Sequence, residues 1–281
     1  MKIYHYTTID SLAQILKHKT IRFNRLDKVD DLEEGSIHPN GIKVGQYTFV
    51  SCWTESNEEN ISLWKLYTNS GIGVRICLEW DMFKDYVNPD KMTIGGLPFM
   101  IKGTAYEITK TPLSDALSPQ YFVLPVGKQE VSCIYKKVEY VDDMERETAH
   151  LVKRIFGDFE HGRVTISLRD LGRYKNKCWA FQEESRFCLA IFPGKQFSSV
   201  EDFLSGINKW AYESWVNNYS NSISYYDMSL RDDIFSTLEI TLSPGMPESQ
   251  RIIVEALKDK YAPSAIIRES HLDSKVNLNT K

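Results

Sequence analysis

The sequence predicts a single α+β domain over residues 1–281, a mixed or antiparallel sheet core with flanking helices and a helical insertion near residues 195–232. Three observations predict it. Apolar runs of strand length recur, at residues 46–53, 74–80 and Phe187-Cys188-Leu189-Ala190-Ile191-Phe192, the last ended by Pro193-Gly194. Helical spacing recurs as well, as in Leu12, Ile15 and Leu16 at i, i+3 and i+4. No internal repeat, low-complexity segment or linker divides the chain, and 281 residues can bury a substantial core.

Residues 2–7 read as the first strand. Thr8, Asp10 and Ser11 offer capping oxygens for the helix that carries Leu12, Ile15 and Leu16. Residues 20–24 read as a second strand, and the acidic stretch 26–35 as a solvated turn. Strand 46–53 follows, then a helix over 57–67 that buries Ile61, Trp64 and Tyr67. Gly71 and Gly73 break it before strand 74–80. Residues 81–128 are cut into short pieces by Pro89, Gly95, Gly96, Pro98, Pro112 and Pro119. A strand is expected over 131–141, a helix from Asp142 and Asp143 to about residue 156, and another over 164–174. The strand through 187–192 comes next. A helix over 198–219 presents Phe203, Leu204, Ile207, Trp210 and Trp215 on its apolar face. Strand 236–242, a helix over 247–261 that Pro247 can begin, and a short strand at 265–268 complete the pattern, with 273–281 frayed.

A hydrophobic share of 42% argues against a disordered chain. The formal net charge of −4 gives no global field toward nucleic acid, although a local basic groove stays open. Cys52, Cys77, Cys133, Cys178 and Cys188 are odd in number and form no C-x-x-C, which fits a reducing compartment. Cys52, Cys77 and Cys188 lie in apolar runs, as small core residues do. Met1-Lys2-Ile3-Tyr4-His5 lacks a signal peptide's apolar stretch and no run is long enough to span a bilayer, so a cytoplasmic protein without a membrane partner is expected.

Two polar clusters carry the candidate chemistry. Within Lys175–Arg186, Gln182, Glu184 and Arg186 share one face if the strand reaches back that far. A carboxylate at the end of a core strand, with an amide and a guanidinium beside it, is held more rigidly than one on a loop. A surface ion pair is the simpler reading of an isolated Glu-x-Arg. His5-Tyr6-Thr7 closes the first strand just before a helix, whose first N–H groups favour an anion such as phosphate. A histidine hydrogen-bonded at the core's edge is the simpler reading there. Trp53, Trp64 and Tyr67 cluster as core aromatics or as stacks for a planar ring. Gly71-Ile72-Gly73 precedes a strand and lacks a third glycine, so it is no dinucleotide fingerprint. Asp27, Asp30, Asp31, Glu33 and Glu34 lack calcium-loop spacing and read as a solvated acidic turn. No zinc spacing, Walker loop or nucleophile elbow is present.

Four pieces in order resemble the bacterial domain-of-unknown-function 2971 family: Tyr4-His5-Tyr6-Thr7; Asp30-Asp31-Leu32-Glu33; Ser51-Cys52-Trp53 with Leu63-Trp64, Tyr67 and Gly73-Val74; and Lys175, Trp179, Gln182, Glu184 and Arg186. The resemblance covers residues 1–192 and runs more weakly through Leu242-Ser243-Pro244 to the end; Gln182 stands where that family usually has Glu. The early His-ended strand, the helix after it and the late Gln-x-Glu are also similar, more distantly, to the ADP-ribosyltransferase superfamily, which includes DNA-modifying toxins. The Ser-Thr-Ser motif of many members is not evident here. That resemblance implies an ADP-ribosyltransferase-like split sheet and NAD as the consumed cofactor. It implies Glu184 as the catalytic carboxylate, Gln182 as its substrate-side neighbour and His5 as the NAD-ribose contact, with Tyr6 and Thr7 beside it. Arg186 would orient Glu184 or bind a pyrophosphate oxygen, and Trp64, Tyr67 and Trp179 would meet the nicotinamide end. The acceptor implied is nucleic acid or protein, in a toxin or phage-defence setting with an antitoxin or other partner protein. Two other readings stand beside it. One is a non-catalytic binding module in which Glu184 and Arg186 form a structural ion pair. The other is a metal-dependent nuclease using Glu184-Ser185-Arg186 and Asp170.

Overall fold

The β-branched and aromatic runs of the sequence collect into one ten-stranded mixed sheet. The computed structural model describes residues 1–124, 134–155, 163–167 and 169–278. The strands of the main sheet are β1 (Lys2–Thr7), β2 (Thr20–Arg25), β3 (Thr48–Thr54), β4 (Val74–Glu79), β5 (Tyr121–Leu124), β6 (Tyr135–Lys137), β7 (Glu184–Pro193), β8 (Tyr225–Ser229), β9 (Glu239–Leu242) and β10 (Ile266–Arg268). The helices that bear on the site are α1 (Ile9–His18), α2 (Leu32–Gly35) and α3 (Ile61–Tyr67), with α4 (Val200–Val216) and α5 (Glu248–Tyr261) further along.

The main path runs β6-β7-β3-β1-β4-β9-β10, with β5 also on β7 and a β8-β2 ribbon on β3. Every pairing in the sheet is antiparallel except β9 with β10. One detail of register creates the site. Strand β1 meets β3 only at Tyr4 opposite Thr54, and β2 meets the other end of β3 at Asn24 opposite Val50 and Arg25 opposite Phe49. Between those ends, Ser51, Cys52 and Trp53 have β7 on one side and no strand on the other. The sheet is therefore split, and α1 carries the chain from one lip of the split to the other.

The main core lies on one face, where Ile3, Leu12, Leu16, Phe23, Phe187, Leu189, Ile240 and Val254 pack together. Alternation along β7 turns Phe187, Leu189 and Ile191 into that core and leaves Glu184, Arg186 and Cys188 on the other face. There a smaller cluster of Tyr6, Leu63, Trp64 and Leu278 covers the end of β1. Glu59 ties it to the C-terminal segment, accepting from Trp64 Nε1 at 3.0 Å, from Ser270 Oγ at 2.5 Å and from the His271 N–H at 2.9 Å.

Several expectations change. Of the helix over 142–156 only Met144–Thr148 forms; Ala149–Leu151 continues as a 3-10 turn and Val152–Ile155 is a strand. The helix over 164–174 is absent among the described residues, since Arg163–Ile166 pairs with Val152–Ile155 in register Val152 to Ile166. Both segments are rich in Val, Ile and Thr, whose branched side chains favour a pleated strand. The strand over 131–141 is present as β6 and Glu139–Val141, while 131–133 lie outside the described residues. Within residues 195–232 the chain forms α4; Phe203, Ile207, Trp210 and Trp215 pack inward, and the Leu204 side chain is outside the described part. Of the end expected to fray, residues 273–278 are described and Leu278 is buried, while 279–281 lie outside the described residues. Among the described residues no helix is long and apolar enough to cross a membrane.

Gly73, at the entrance to β4, sits against the end of β1. A Cβ there would lie 2.5 Å from the Thr7 carbonyl oxygen and 2.6 Å from Thr68 Cβ. Gly73→Ala is expected to lower the unfolding free energy by about 1–3 kcal/mol, the usual cost of overpacking. A urea titration reads this as an earlier midpoint at unchanged slope.

Candidate functional site

A cavity of about 430 Å³ lies where β1 and β2 part along β3. Its wall is built from residues 4–7 of β1, one side of α1 from Ser11 to His18, residues 20–22 and 24 of β2, residues 50–54 of β3, and the ion cluster at the start of β7. His5 and Glu184, brought from opposite ends of the sequence, line this one cavity.

His5 Nδ1 lies 2.7 Å from the Cys52 carbonyl oxygen, across the split that no ladder bond closes. A carbonyl only accepts, so Nδ1 carries the proton and Nε2 keeps its lone pair. Burial lowers the His5 pKa, only partly offset by that hydrogen bond, and favours the neutral ring. Trp53 packs on the imidazole with ring centroids 5.0 Å apart. Tyr6 and Thr7 also line the cavity; the Tyr6 hydroxyl accepts the Asn60 N–H at 2.9 Å and so fixes the start of α3 against β1.

The other wall is a buried charge network. Arg186, 1% exposed, donates Nε to Glu184 Oε1 at 2.8 Å, with Nη2 2.6 Å from the same oxygen. Its Nη1 reaches Glu34 Oε1 and the Gly172 carbonyl. Lys175 donates to Glu184 Oε2 at 3.1 Å and to Gln182 Oε1 at 2.8 Å. Gln182 passes its Nε2 hydrogen to the Tyr67 hydroxyl at 2.6 Å, and that hydroxyl lies 3.4 Å from Asp30 Oδ2. Glu184 is thus held at both oxygens. Burial pushes its pKa up, but Arg186 and Lys175 outweigh that and bring it down to about 2. Burial opposes the Lys175 ammonium too, yet the Glu184 charge raises its pKa above the ordinary value.

Glu34 belongs to this network, which corrects the reading of residues 26–35 as solvated. Glu34 is 1% exposed and Asp31 4%. Asp31 caps α2 by accepting the Glu33 and Glu34 N–H groups through Oδ1. Glycines let the turn sit close: a Cβ on Gly45 would lie 2.4 Å from the Gly35 carbonyl oxygen. Burial raises the Glu34 pKa to about 7; Arg186 opposes this and the Glu184 charge adds to it. The signal for an inward Glu34 was present in Asp31-x-x-Glu34, the spacing of a capped helical turn.

Gln182 arrives differently from the expectation. The strand begins at Glu184; Gln182 ends a 3-10 turn, Lys177–Gln182, and Glu183 takes a left-handed φ of 44° between them. Their shared site thus comes from a turn rather than strand alternation. Tyr67 lines the cavity, but Trp64 and Trp179 do not. Trp64 is wholly buried with Tyr6 and Leu63, and the Trp179 ring lies 4.8 Å from the Lys175 ammonium, behind the ion cluster. The aromatic wall is formed instead by Trp53, Tyr67, Tyr4 and Tyr6. Cys77 and Cys188 are buried as expected, whereas Cys52 is half-buried and lines the cavity. Asp170 is not part of the lining; it is engaged with Ser167, Arg173 and His150.

The arrangement offers a ligand a neutral imidazole with a free lone pair, a fixed carboxylate, an aromatic wall and two buried cations. No protein-family model, curated protein or solved structure matches the chain, and the chemistry of the site rests on its own residues.

Proposed function

We propose that this chain is an NAD-consuming enzyme of the ADP-ribosyltransferase type, with the cavity in the split sheet as its NAD site. The observation that carries the reading is that His5 and Glu184 line one cavity. Cleavage of the nicotinamide–ribose bond develops positive charge on the ribose. Glu184 stays ionised under ordinary conditions and stabilises that charge electrostatically. An ionised carboxylate offers about four lone-pair sites. Arg186 and Lys175 occupy three, and a ribose hydroxyl takes the fourth in place of the Cys52 thiol, which hydrogen-bonds this carboxylate from the cavity wall. His5 Nε2 accepts from a second hydroxyl, and Trp53 and Tyr67 flank the nicotinamide. Gln182 and Lys175 hold Glu184 and Tyr67 in register. The acceptor is water in a glycohydrolase, or a nucleic-acid base or protein side chain in a transferase; a toxin or phage-defence role belongs to the same reading.

The test is incubation with labelled NAD alone and with DNA, RNA or cell lysate, following released nicotinamide and labelled macromolecule. Glu184→Gln is expected to reduce turnover by about 10²–10³ while NAD binding persists. Wild-type protein that neither binds nor cleaves NAD overturns the proposal.

One observation favours a second reading. Glu184 is 6% exposed and engaged at both oxygens, as a structural ion pair is. In a non-catalytic binding module, Glu184→Gln lowers stability and there is no turnover to lose. The nuclease reading needs Asp170 beside Glu184, and Asp170 does not line the Glu184 cavity, so this geometry lends it less support.

A further inference from the structure

Two glutamates line the cavity, and their surroundings differ. Glu184 meets cations at both oxygens. Glu34 meets Arg186 at Oε1 alone, and its Oε2, buried in the wall, has no hydrogen-bond partner. Attack on an oxocarbenium-like ribose requires the nucleophile to give up a proton. Glu184 is a poor base for that, since both cations stabilise it without the proton. We propose that Glu34 is the proton-accepting catalytic residue of this cavity, with Glu184 remaining ionised beside it; the proposal rests on the NAD-cleaving reading.

The step balances as follows. The C1′–N bond breaks and its electron pair leaves on the nicotinamide ring nitrogen, which departs neutral. A lone pair of the nucleophile, water or an acceptor's oxygen or nitrogen, forms the new bond to C1′. The nucleophile's proton passes to Glu34 Oε2 once the side chain, closed off in the ligand-free wall, turns toward the cavity, and leaves from there to solvent.

Several charged and titratable groups surround Glu34 on the elements packed against α2. Strand β7 presents Arg186, Glu184 and the Cys188 thiol. The strand Tyr174–Asn176 presents Lys175 and the Tyr174 phenol, and the turn Leu26–Lys28 brings Asp27 and Lys28. The turn Val44–Gln46 brings no titratable group, and Asp31 on Glu34's own turn is engaged as the cap. Burial and the Glu184 charge therefore raise Glu34 to about 7 against Arg186, where a general base works best near neutral pH. Two carboxyl groups in one site, pushed apart in this way, divide into a fixed charge and a proton carrier.

The experiment uses the full chain and NAD, with nicotinamide release measured across pH for wild type, Glu34→Gln and Glu34→Asp. It is paired with a ligand-free titration of carboxyl-¹³C-glutamate-labelled protein by NMR. Expected is a wild-type rate that rises with pH through about 7, a loss of about 10²–10⁴ in Glu34→Gln with that limb gone, and partial recovery in Glu34→Asp. One carboxyl resonance should titrate near neutrality and vanish in Glu34→Gln. If that variant does not fold, Glu34→Asp and the wild-type titration decide. Turnover that keeps its pH limb without Glu34, or no carboxyl titrating near neutrality, overturns the role of Glu34 and leaves NAD cleavage standing. Absence of any nicotinamide release from wild type overturns both.

Discussion

Replacing Arg186 with alanine is expected to destabilise the protein by about 3–5 kcal/mol, the cost of leaving a buried ion uncompensated. Native domains are stable by only about 5–15 kcal/mol, so much of the fold's margin is at stake. The guanidinium holds two carboxylates at once, Glu184 and Glu34, and also donates to the Gly172 carbonyl. Its loss leaves Glu184 with Lys175 and the Cys52 thiol, Glu34 with no hydrogen-bond partner and the Gly172 carbonyl with only the Cys188 thiol at 3.9 Å. A lysine in its place carries the charge but not the planar fork, and recovers only part of the loss. Replacing Arg186, Glu184, Glu34 and the buried Lys175 together by apolar residues of similar volume should restore much of the stability, because the penalty comes from stranded charge rather than lost attraction. Guanidinium titrations of the three variants check this. A loss under about 1 kcal/mol in Arg186→Ala would mean that the two acids find other partners or water.

The second large effect is a pair of opposed pH dependences. Glu184 has its folded pKa depressed to about 2 from 4.5. Its stabilisation is fully present above the unfolded value and is lost as pH falls through about 2. Glu34 has its folded pKa raised from 4.5 to about 7. Its contribution is fully present below 4.5 and is lost as pH rises through about 7. Each swing is on the order of 3 kcal/mol. From these two groups the stability maximum falls near the ordinary glutamate value, with a decline on either side. Thermal melts across pH should show Glu34→Gln gaining on wild type from mildly acid to neutral pH. Glu184→Gln should lose the acid-side slope. Parallel curves for Glu34→Gln and wild type would show that Glu34 does not change protonation in the folded state.

The sheet was readable because its strands are long apolar runs with clear ends. The strand ending in His5 and the one running through Phe187–Phe192 come out close to where periodicity puts them. The failures share a cause. Residues 142–156 carry good capping signals at Asp142 and Asp143, and capping is a local property; the competing hairpin through Val152–Ile155 is a long-range pairing that no local window contains. Among site residues, His5, Glu184 and Arg186 converge on one cavity because two strands of a single sheet carry them, and Gln182 joins from the turn before β7 and Tyr67 from α3. Trp64 and Trp179 went elsewhere: a large aromatic fits a pocket wall and a core equally well by composition, and only the fold chooses. Glu34 and Lys175 were missed as members of the ion network for the same reason. A carboxylate in an acidic stretch looks solvated until a guanidinium arrives from 152 residues away.

The Glu59 anchor has a practical consequence for anyone handling this protein. Because Ser270 and His271 are tied to the carboxylate that also receives Trp64 Nε1, and Leu278 packs beside Tyr6, the carboxy-terminal stretch is a brace under one lip of the cavity. Proteolytic nicking, truncation or a bulky fusion there would loosen β1 from behind and unsettle the cavity although no residue of its wall had been touched.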